Sequence, residues 1–303
     1  MSYLNEASEA GNICDLVKRH HNYRSRVLNM IASENVASPL VRQFMGSDFE
    51  NRYGNYEKEN PQFRKYQGNE FIREIELRAI EFAKKLFGAK FVELRPVSGT
   101  VSDLAVVLGF TPRDGLVMEL ESRYGGHDTA RRLASSEFVR YHTEGFPFDR
   151  DNMNIVTEEA CRLVEEKRPN LLTLGASVFL FPHPVRELSK SAEEVGATMS
   201  YDASHVLGLI AGGFFQDPLR EGATIMLGST HKTFPGPQGG IILASEENEI
   251  RERIIRGLHP PLVTNHHPQR MPGLAIALLE MMAFGADYAK QIVANAKSLG
   301  RTM

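Results

Sequence analysis

Four short stretches of the chain hold side chains whose types and spacing suit a reaction centre. The run Gly-Ser-Thr-His-Lys-Thr at 228–233, followed by Phe-Pro-Gly-Pro-Gln-Gly-Gly, sets His231 and Lys232 in a small-residue loop between two apolar runs. Withdrawing an amine from water disfavours its charged form, and a neutral amine forms imines with carbonyls. The competing account is a lysine that snorkels out of a glycine-rich turn. Tyr-Asp-Ala-Ser-His at 201–205 follows a further apolar run. Here Asp202 is placed to keep a nitrogen of a flat cationic heterocycle protonated, with His205 three residues on. Equally, Asp202 caps a helix that starts near Ala203.

Arg-Pro-Val-Ser-Gly-Thr at 95–100 reads as a strand-to-helix turn. Ser98, Gly99 and Thr100 would offer hydroxyls and backbone N–H groups at a helix N-terminus, where a phosphate is favoured; the same residues also make an ordinary N-cap. Arg-Tyr-Gly-Gly-His at 123–127 lets backbone approach a ligand closely and presents His127 to a flat ring, or is simply a polar glycine turn. The chain has no GxGxxG or Walker pattern, which disfavours dinucleotides and nucleoside-triphosphate cleavage. The pairs His20-His21 and His266-His267 are adjacent rather than four apart, so no metal site is expected. Each signal is modest alone. Together they describe a phosphate cup, an imidazole facing a ring, a carboxylate for a ring nitrogen and an imine-forming lysine. That set fits pyridoxal phosphate.

Such groups need a frame. Periodicity predicts a helical arm over residues 1–28, a long surface or interface loop over 51–68, and an amphipathic helix over 71–87 closed by Gly88. Short apolar runs at 91–94, 115–120, 137–141, 171–174, 197–201, 223–227 and 240–244 read as strands. Helical periods at 100–110, 157–167 and 185–195 alternate with them, and a long one fills 273–303. This alternation implies an α/β fold, a largely parallel or mixed sheet covered on both faces, with ligands in the loops beyond the strand ends.

Composition bounds the reading further. With 35 Lys+Arg against 38 Asp+Glu in 303 residues, the chain lacks the basic surplus of a general nucleic-acid binder. The apolar run at 171–181 is too short for a membrane span, and no charged-then-apolar leader opens the chain. Two cysteines make neither a disulfide framework nor a zinc cluster. A cytoplasmic enzyme, binding neither nucleic acid nor membrane, is the expectation.

The sequence resembles the serine hydroxymethyltransferase family, especially its archaeal branch. The matching text is Leu28-Asn29-Met30-Ile31-Ala32-Ser33-Glu34-Asn35, Ser98-Gly99-Thr100, Gly125-Gly126-His127, Asp202-Ala203-Ser204-His205 with Gly208-Leu209-Ile210-Ala211-Gly212, and Ser229-Thr230-His231-Lys232-Thr233. The resemblance implies the large domain of the aspartate-aminotransferase-like fold over 29–272, preceded by the arm at 1–28 and followed by an interdomain helix at 273–303. It also implies that Lys232 is the Schiff-base lysine, Asp202 the ring-nitrogen partner and His127 the imidazole stacked on the ring. Ser98, Gly99 and Thr100 become the phosphate cup, His205 and Ser177 neighbours of the ring hydroxyl, and His231 a further cofactor contact. Ser33 falls near the substrate carboxylate, and Tyr53 resembles an aromatic residue that reaches across from a partner subunit in a homodimer. The activity implied is interconversion of serine and glycine, with a reduced pterin as one-carbon acceptor.

Two departures accompany the resemblance. Family members carry Tyr-Ala-Glu-Gly and then Pro-Gly-Lys-Arg after the arm, whereas here Tyr53-Gly54-Asn55-Tyr56-Glu57-Lys58-Glu59-Asn60-Pro61 precedes Arg64 with extra residues. Ungapped, the family's proton-transferring glutamate falls on Asn55; after a loop shift, Glu57 or Glu59 takes its place. The expectation is altered pterin-dependent transfer with surviving cleavage of 3-hydroxy amino acids, as in a threonine aldolase or transaldolase. Second, the chain stops at Met303 inside the long helix, so the small C-terminal domain and its carboxylate-binding arginine are expected to be absent. A weakened cofactor-binding homologue that works with a partner chain is then the remaining alternative.

Overall fold

The structure, a computed structural model, describes residues 2–303. It falls into two units, the residues up to Glu34 and Asn35–Met303. The first holds the helix Ser2–Arg24 and an irregular tail. In that tail Glu34 accepts from Arg24 at 2.6 Å and from Asn29 at 2.5 Å, solvated contacts worth a fraction of a kcal/mol to about 1 kcal/mol.

In the second unit the first strands are β1 (Tyr56–Glu57) and β2 (Asn60–Arg64), an antiparallel hairpin. The main sheet follows as β3 (Phe91–Glu93), β4 (Leu116–Glu119) and β5 (His142–Gly145). A second small hairpin, β6 (Phe148–Asp149) and β7 (Asn154–Ile155), intervenes before β8 (Leu171–Gly175), β9 (Thr198–Asp202), β10 (Ile225–Ser229) and β11 (Gly240–Ala244). The seven-stranded sheet runs β3-β11-β10-β9-β8-β4-β5. β5, β4, β8, β9 and β10 are mutually parallel, whereas β11 is antiparallel to both of its neighbours.

The strands alternate between two cores, as the two-residue period of a pleated strand requires. Met226, Ile241, Leu243, Leu172 and Leu174 face one core, built with Ala79 and Ala83 from the helix Glu70–Phe87 and Leu274 and Leu278 from the helix Arg270–Thr302. Ile225, Leu227, Ile242, Ala244 and Leu171 face the other, against Val106 and Phe110 of the helix Gly99–Phe110 and Ile254 and Leu258 of the helix Asn248–Leu258. Near-continuous apolar strands are what a sheet covered on both faces demands. Gly88 ends the helix Glu70–Phe87 at φ +66°, the left-handed turn that favours glycine.

Three readings of the sequence are corrected. The apolar run at 137–141 is not a strand: Phe138 is 92% exposed, and pairing with β4 starts only at His142. β5 is an edge strand, so its polar sequence His-Thr-Glu-Gly gives no burial signal. The stretch 51–68 is not loop throughout: its middle pairs as the hairpin β1–β2. Finally, Asp202 belongs to β9, and the next helix, Leu207–Ala211, begins beyond its capping reach.

Candidate cofactor site

Because β4, β8, β9 and β10 are parallel, the loops that leave their C-terminal ends emerge at one edge of the sheet. β11 runs the other way and pairs with β3, so β3 points in the same direction as that group, and the loop after it opens at the same edge. The loops after β3, β4, β8, β9 and β10 carry Ser98, His127, Ser177, His205 and Lys232 respectively.

Lys232 Nζ lies 3.1 Å from His205 Nε2. Burial, reinforced by the nearby Lys232 and His127 charges, pushes His205 down to about 4, so its ring is neutral at pH 7 and accepts from the amine. Lys232 is half-buried, and burial lowers its pKa below the ordinary lysine value while Asp202 pulls it back up. The backbone around it is held: Asn35 Nδ2 donates to Lys232 O at 2.7 Å, and Tyr288 OH donates to Thr233 O at 3.2 Å. Asn35 also donates to the Tyr288 hydroxyl at 2.7 Å, which ties the lysine loop to the long helix Arg270–Thr302. His231 accepts from Gly239 N at 3.4 Å, and its pKa is lowered, by burial first.

Asp202 ends β9 with its side chain buried, and its Oδ1 accepts from Ser204 N at 2.8 Å. Burial, with the neighbouring Asp103 carboxylate, raises its pKa. Asp103, His127 and Asp202 each bring a polar atom within 4.8 Å of the others'. The His127 ring contacts Thr129 Oγ1, with Asp103 Oδ2 3.8 Å from its Nδ1. Its pKa is raised, by Asp103 first and against desolvation.

Ser98 caps the helix Gly99–Phe110, its hydroxyl accepting from Val101 N at 3.2 Å. Gly99 is buried, and a Cβ there would stand 2.2 Å from Ser229 Oγ, so glycine lets the helix start pack directly against the end of β10. Ser204 Oγ accepts from Ser229 N at 3.0 Å and closes the same contact. Thr100 is exposed. Ser177 N donates to Gly125 O at 2.8 Å, which joins the loops after β8 and β4. Gly125, at φ +97°, could not carry a Cβ, because Val178 O would be 1.9 Å from it.

Tyr53 is not gathered into this group. It is 59% exposed, its carbonyl accepts from Asn69 Nδ2, and its ring meets Tyr66 edge-on. Ser33 falls in the N-terminal unit. Asn55 Nδ2 donates to Thr264 O at 3.2 Å, while its Oδ1 is buried without a partner among the described residues. Glu59 pairs with Arg95 at 2.7 Å and His259 at 2.9 Å, and Glu57 is exposed on β1. Asp103, Ser204 and Ser229 are the site-lining residues that sequence reading missed. For Asp103 a signal existed: it is the sole charged residue of its twelve-residue helix.

A seven-stranded mixed sheet with an amine, a buried carboxylate, an imidazole and a capped helix start at one edge is the architecture of pyridoxal-phosphate-dependent transferases. The family model described as serine hydroxymethyltransferase matches residues 7–303, and the chain belongs to that family of one-carbon transferases. It is 44% identical to a serine hydroxymethyltransferase of Methanobrevibacter smithii over 99% of this chain and 69% of that one. A serine hydroxymethyltransferase of Pyrobaculum neutrophilum is 42% identical over 97% of this chain and 68% of its own length. Among solved structures, the L-threonine transaldolase of Pseudomonas fluorescens, in its internal aldimine state, matches with a TM-score of 0.90 at 29% identity. That match covers 99% of this chain and 69% of the transaldolase.

Pyridoxal phosphate is the cofactor of this family, and the residues present fit it. The helix start capped by Ser98 suits a phosphate, Asp202 suits a ring N–H, and the partly desolvated amine of Lys232 suits an aldehyde carbon. Among the described residues, Asp103 Oδ1 is buried with no partner, so this pocket still holds an unanswered acceptor.

Proposed function

We propose that this chain uses pyridoxal phosphate to interconvert serine and glycine, with a reduced pterin as the one-carbon acceptor, as a cytoplasmic homodimer. The observation that carries the reading is the 3.1 Å Lys232–His205 contact, at the sheet edge that also bears Asp202 and Ser98. Among the described residues no helix is long and apolar enough to cross a membrane.

When bound, the cofactor supplies an electron sink for negative charge at the substrate α-carbon. Lys232 would hold the cofactor at its aldehyde carbon, because its amine is neutral at lower pH than a solvated lysine. Neutral His205 takes part in the amine's hydrogen bond and holds Nζ in place. Asp202 would keep the ring nitrogen protonated, and the hydrogen bond from Ser204 N fixes the carboxylate's orientation. Ser98 and the N–H groups at the start of its helix would receive the phosphate, aided by the helix dipole. Ser177 and His205 would neighbour the ring hydroxyl, His231 would add a contact, Ser33 would address the substrate carboxylate, and Tyr53 would serve the partner's site.

The test is absorbance of the protein mixed with pyridoxal phosphate, followed by serine cleavage with and without reduced pterin. A cofactor band that Lys232→Ala abolishes, and pterin-stimulated cleavage, are expected; an unchanged band in the variant sinks the reading.

Asn55 favours a second reading, pterin-independent cleavage or aldehyde exchange on 3-hydroxy amino acids. An amide cannot exchange the proton a carboxylic acid can, and of the nearby glutamates Glu59 is held by Arg95 and His259 while Glu57 is exposed on β1. The 0.90 TM-score to a threonine transaldolase supports the same reading. Threonine cleavage indifferent to pterin would favour it over the first.

A further inference from the structure

The helix Gly99–Phe110, sequence GTVSDLAVVLGF, packs Ala105, Val106, Val107 and Phe110 into an apolar core, yet carries one carboxylate, Asp103, only 4% exposed. A buried carboxylate costs several kcal/mol unless paired or hydrogen-bonded. Asp103 has no such satisfaction at Oδ1, which lacks any hydrogen-bond partner among the described residues. Its Oδ2 is 3.8 Å from His127 Nδ1, and the carboxylate of Asp202 stands within the same 4.8 Å group. Packing does not call for an acid here, since an apolar residue would fill the site without the desolvation cost.

We propose that Asp103 is a positioning residue of the cofactor pocket, whose carboxylate fixes the His127 ring and supplies the negative charge that matches an imidazolium there. The inference rests on the pyridoxal-phosphate reading for its purpose, though not for its geometry.

The charges around His127 make the case. Asp103 faces it from the helix Gly99–Phe110, Asp202 from the end of β9, and Lys232 from the loop after β10. Neutral His205 adds no charge, and Glu119 at the end of β4 lines the same small cavity, with burial pushing it up to about 7. Asp103 and Asp202 bring two carboxylates to one imidazole, whose pKa is raised, by Asp103 first. A cofactor ring N–H would pair with Asp202 and leave Asp103 to His127. Thr129, in contact with the ring, shares with Asp103 in setting its rotation.

The experiment is an NMR pH titration of His127, its resonance assigned with His127→Gln, on protein without and with pyridoxal phosphate. In the cofactor-free wild type the ring is expected to titrate above the ordinary histidine value of about 6.5. Asp103→Asn, nearly isosteric, is expected to lower it by about one pH unit, and Asp103→Glu to restore at least half of that shift. In the loaded protein, Asp103→Asn is expected to change the pH dependence of the cofactor band while leaving the Lys232 adduct intact. A wild-type His127 titrating at or below 6.5, or the same value in wild type and Asp103→Asn, would overturn the proposal. The wild-type titration needs no variant to fold. A wild type that shows the titration shift but never captures pyridoxal phosphate would instead count against the cofactor reading alone.

Discussion

At Lys232 two opposing effects meet: burial disfavours the ammonium, and Asp202 favours it, with burial the larger. The amine therefore becomes neutral at a lower pH than the ordinary lysine value of about 10.4. Covalent capture of pyridoxal phosphate, trapped by borohydride reduction, is expected to rise with pH and level off below that value; a rise that continues to pH 10.4 contradicts the assignment. His183 supplies a second residue-scale prediction. Its Nδ1 accepts from Gly175 N at 3.1 Å, and burial holds it down to about 4. Between pH 6.5 and 4 the unfolded chain gains a proton there that the folded chain refuses, so folding stability falls as pH falls through that window. The full window amounts to about 3 kcal/mol. His183→Asn, whose Oδ1 can replace the Nδ1 acceptor, is expected to remove about one proton, or about 1.4 kcal/mol per pH unit, from the slope of stability against pH in urea titrations.

At the scale of elements, the site depends on how loops and helix starts are held. Tyr288 binds the lysine loop through Thr233 O and receives Asn35, so one hydroxyl links the helix Arg270–Thr302 to both. Tyr288→Phe is expected to cost about 1 kcal/mol in thermal unfolding and to weaken cofactor capture while keeping the fold; an unchanged protein on both counts would show the link to be idle. The start of the helix Gly99–Phe110 is still less tolerant. Gly99→Ala puts a Cβ 2.2 Å from Ser229 Oγ, and loss of phosphate affinity of at least tenfold is expected in equilibrium binding. These elements were legible where burial stamps its period on the sequence: the helices 157–167 and 185–195 coincide with Thr157–Lys167 and Val185–Val195, and β11 with 240–244. They were illegible where pairing is decided by a neighbour. β5 is polar and took its position from β4, and β1–β2 is a short polar hairpin fixed by contacts farther along the chain, such as Arg64 with Glu76. The motifs marked His205 and Lys232 because type and spacing reveal chemistry. They passed over Ser204 and Ser229, whose roles arise only when two strands lie side by side.

At the scale of the whole chain, the hairpin β1–β2 joins the body through buried charge and shows its other side to solvent. Glu76, fully buried, takes Arg64 at 2.8 Å and His266 at 3.0 Å and meets the Tyr56 hydroxyl; burial opposes its charge, but these partners outweigh it and hold it down to about 2. The guanidinium groups of Arg64 and Arg95 flank the Tyr56 ring at 4.7 and 4.4 Å. So firm an anchorage leaves Tyr53 and Phe63, each 59% exposed, and Tyr66, 50% exposed, displayed on a rigid support. Clustered exposed aromatics on rigid support are the usual make-up of an interface core. A second copy of the chain is the expected occupant, in keeping with the role proposed for Tyr53. Light scattering should then find a species of twice 33.9 kDa. The double variant Phe63→Glu, Tyr66→Glu should shift it toward the monomer without altering unfolding of the buried network, because neither ring takes part in the Glu76 contacts. A wild type that stays monomeric at tens of micromolar would remove the partner-reaching role of Tyr53 and leave the Lys232 chemistry to be completed within one chain.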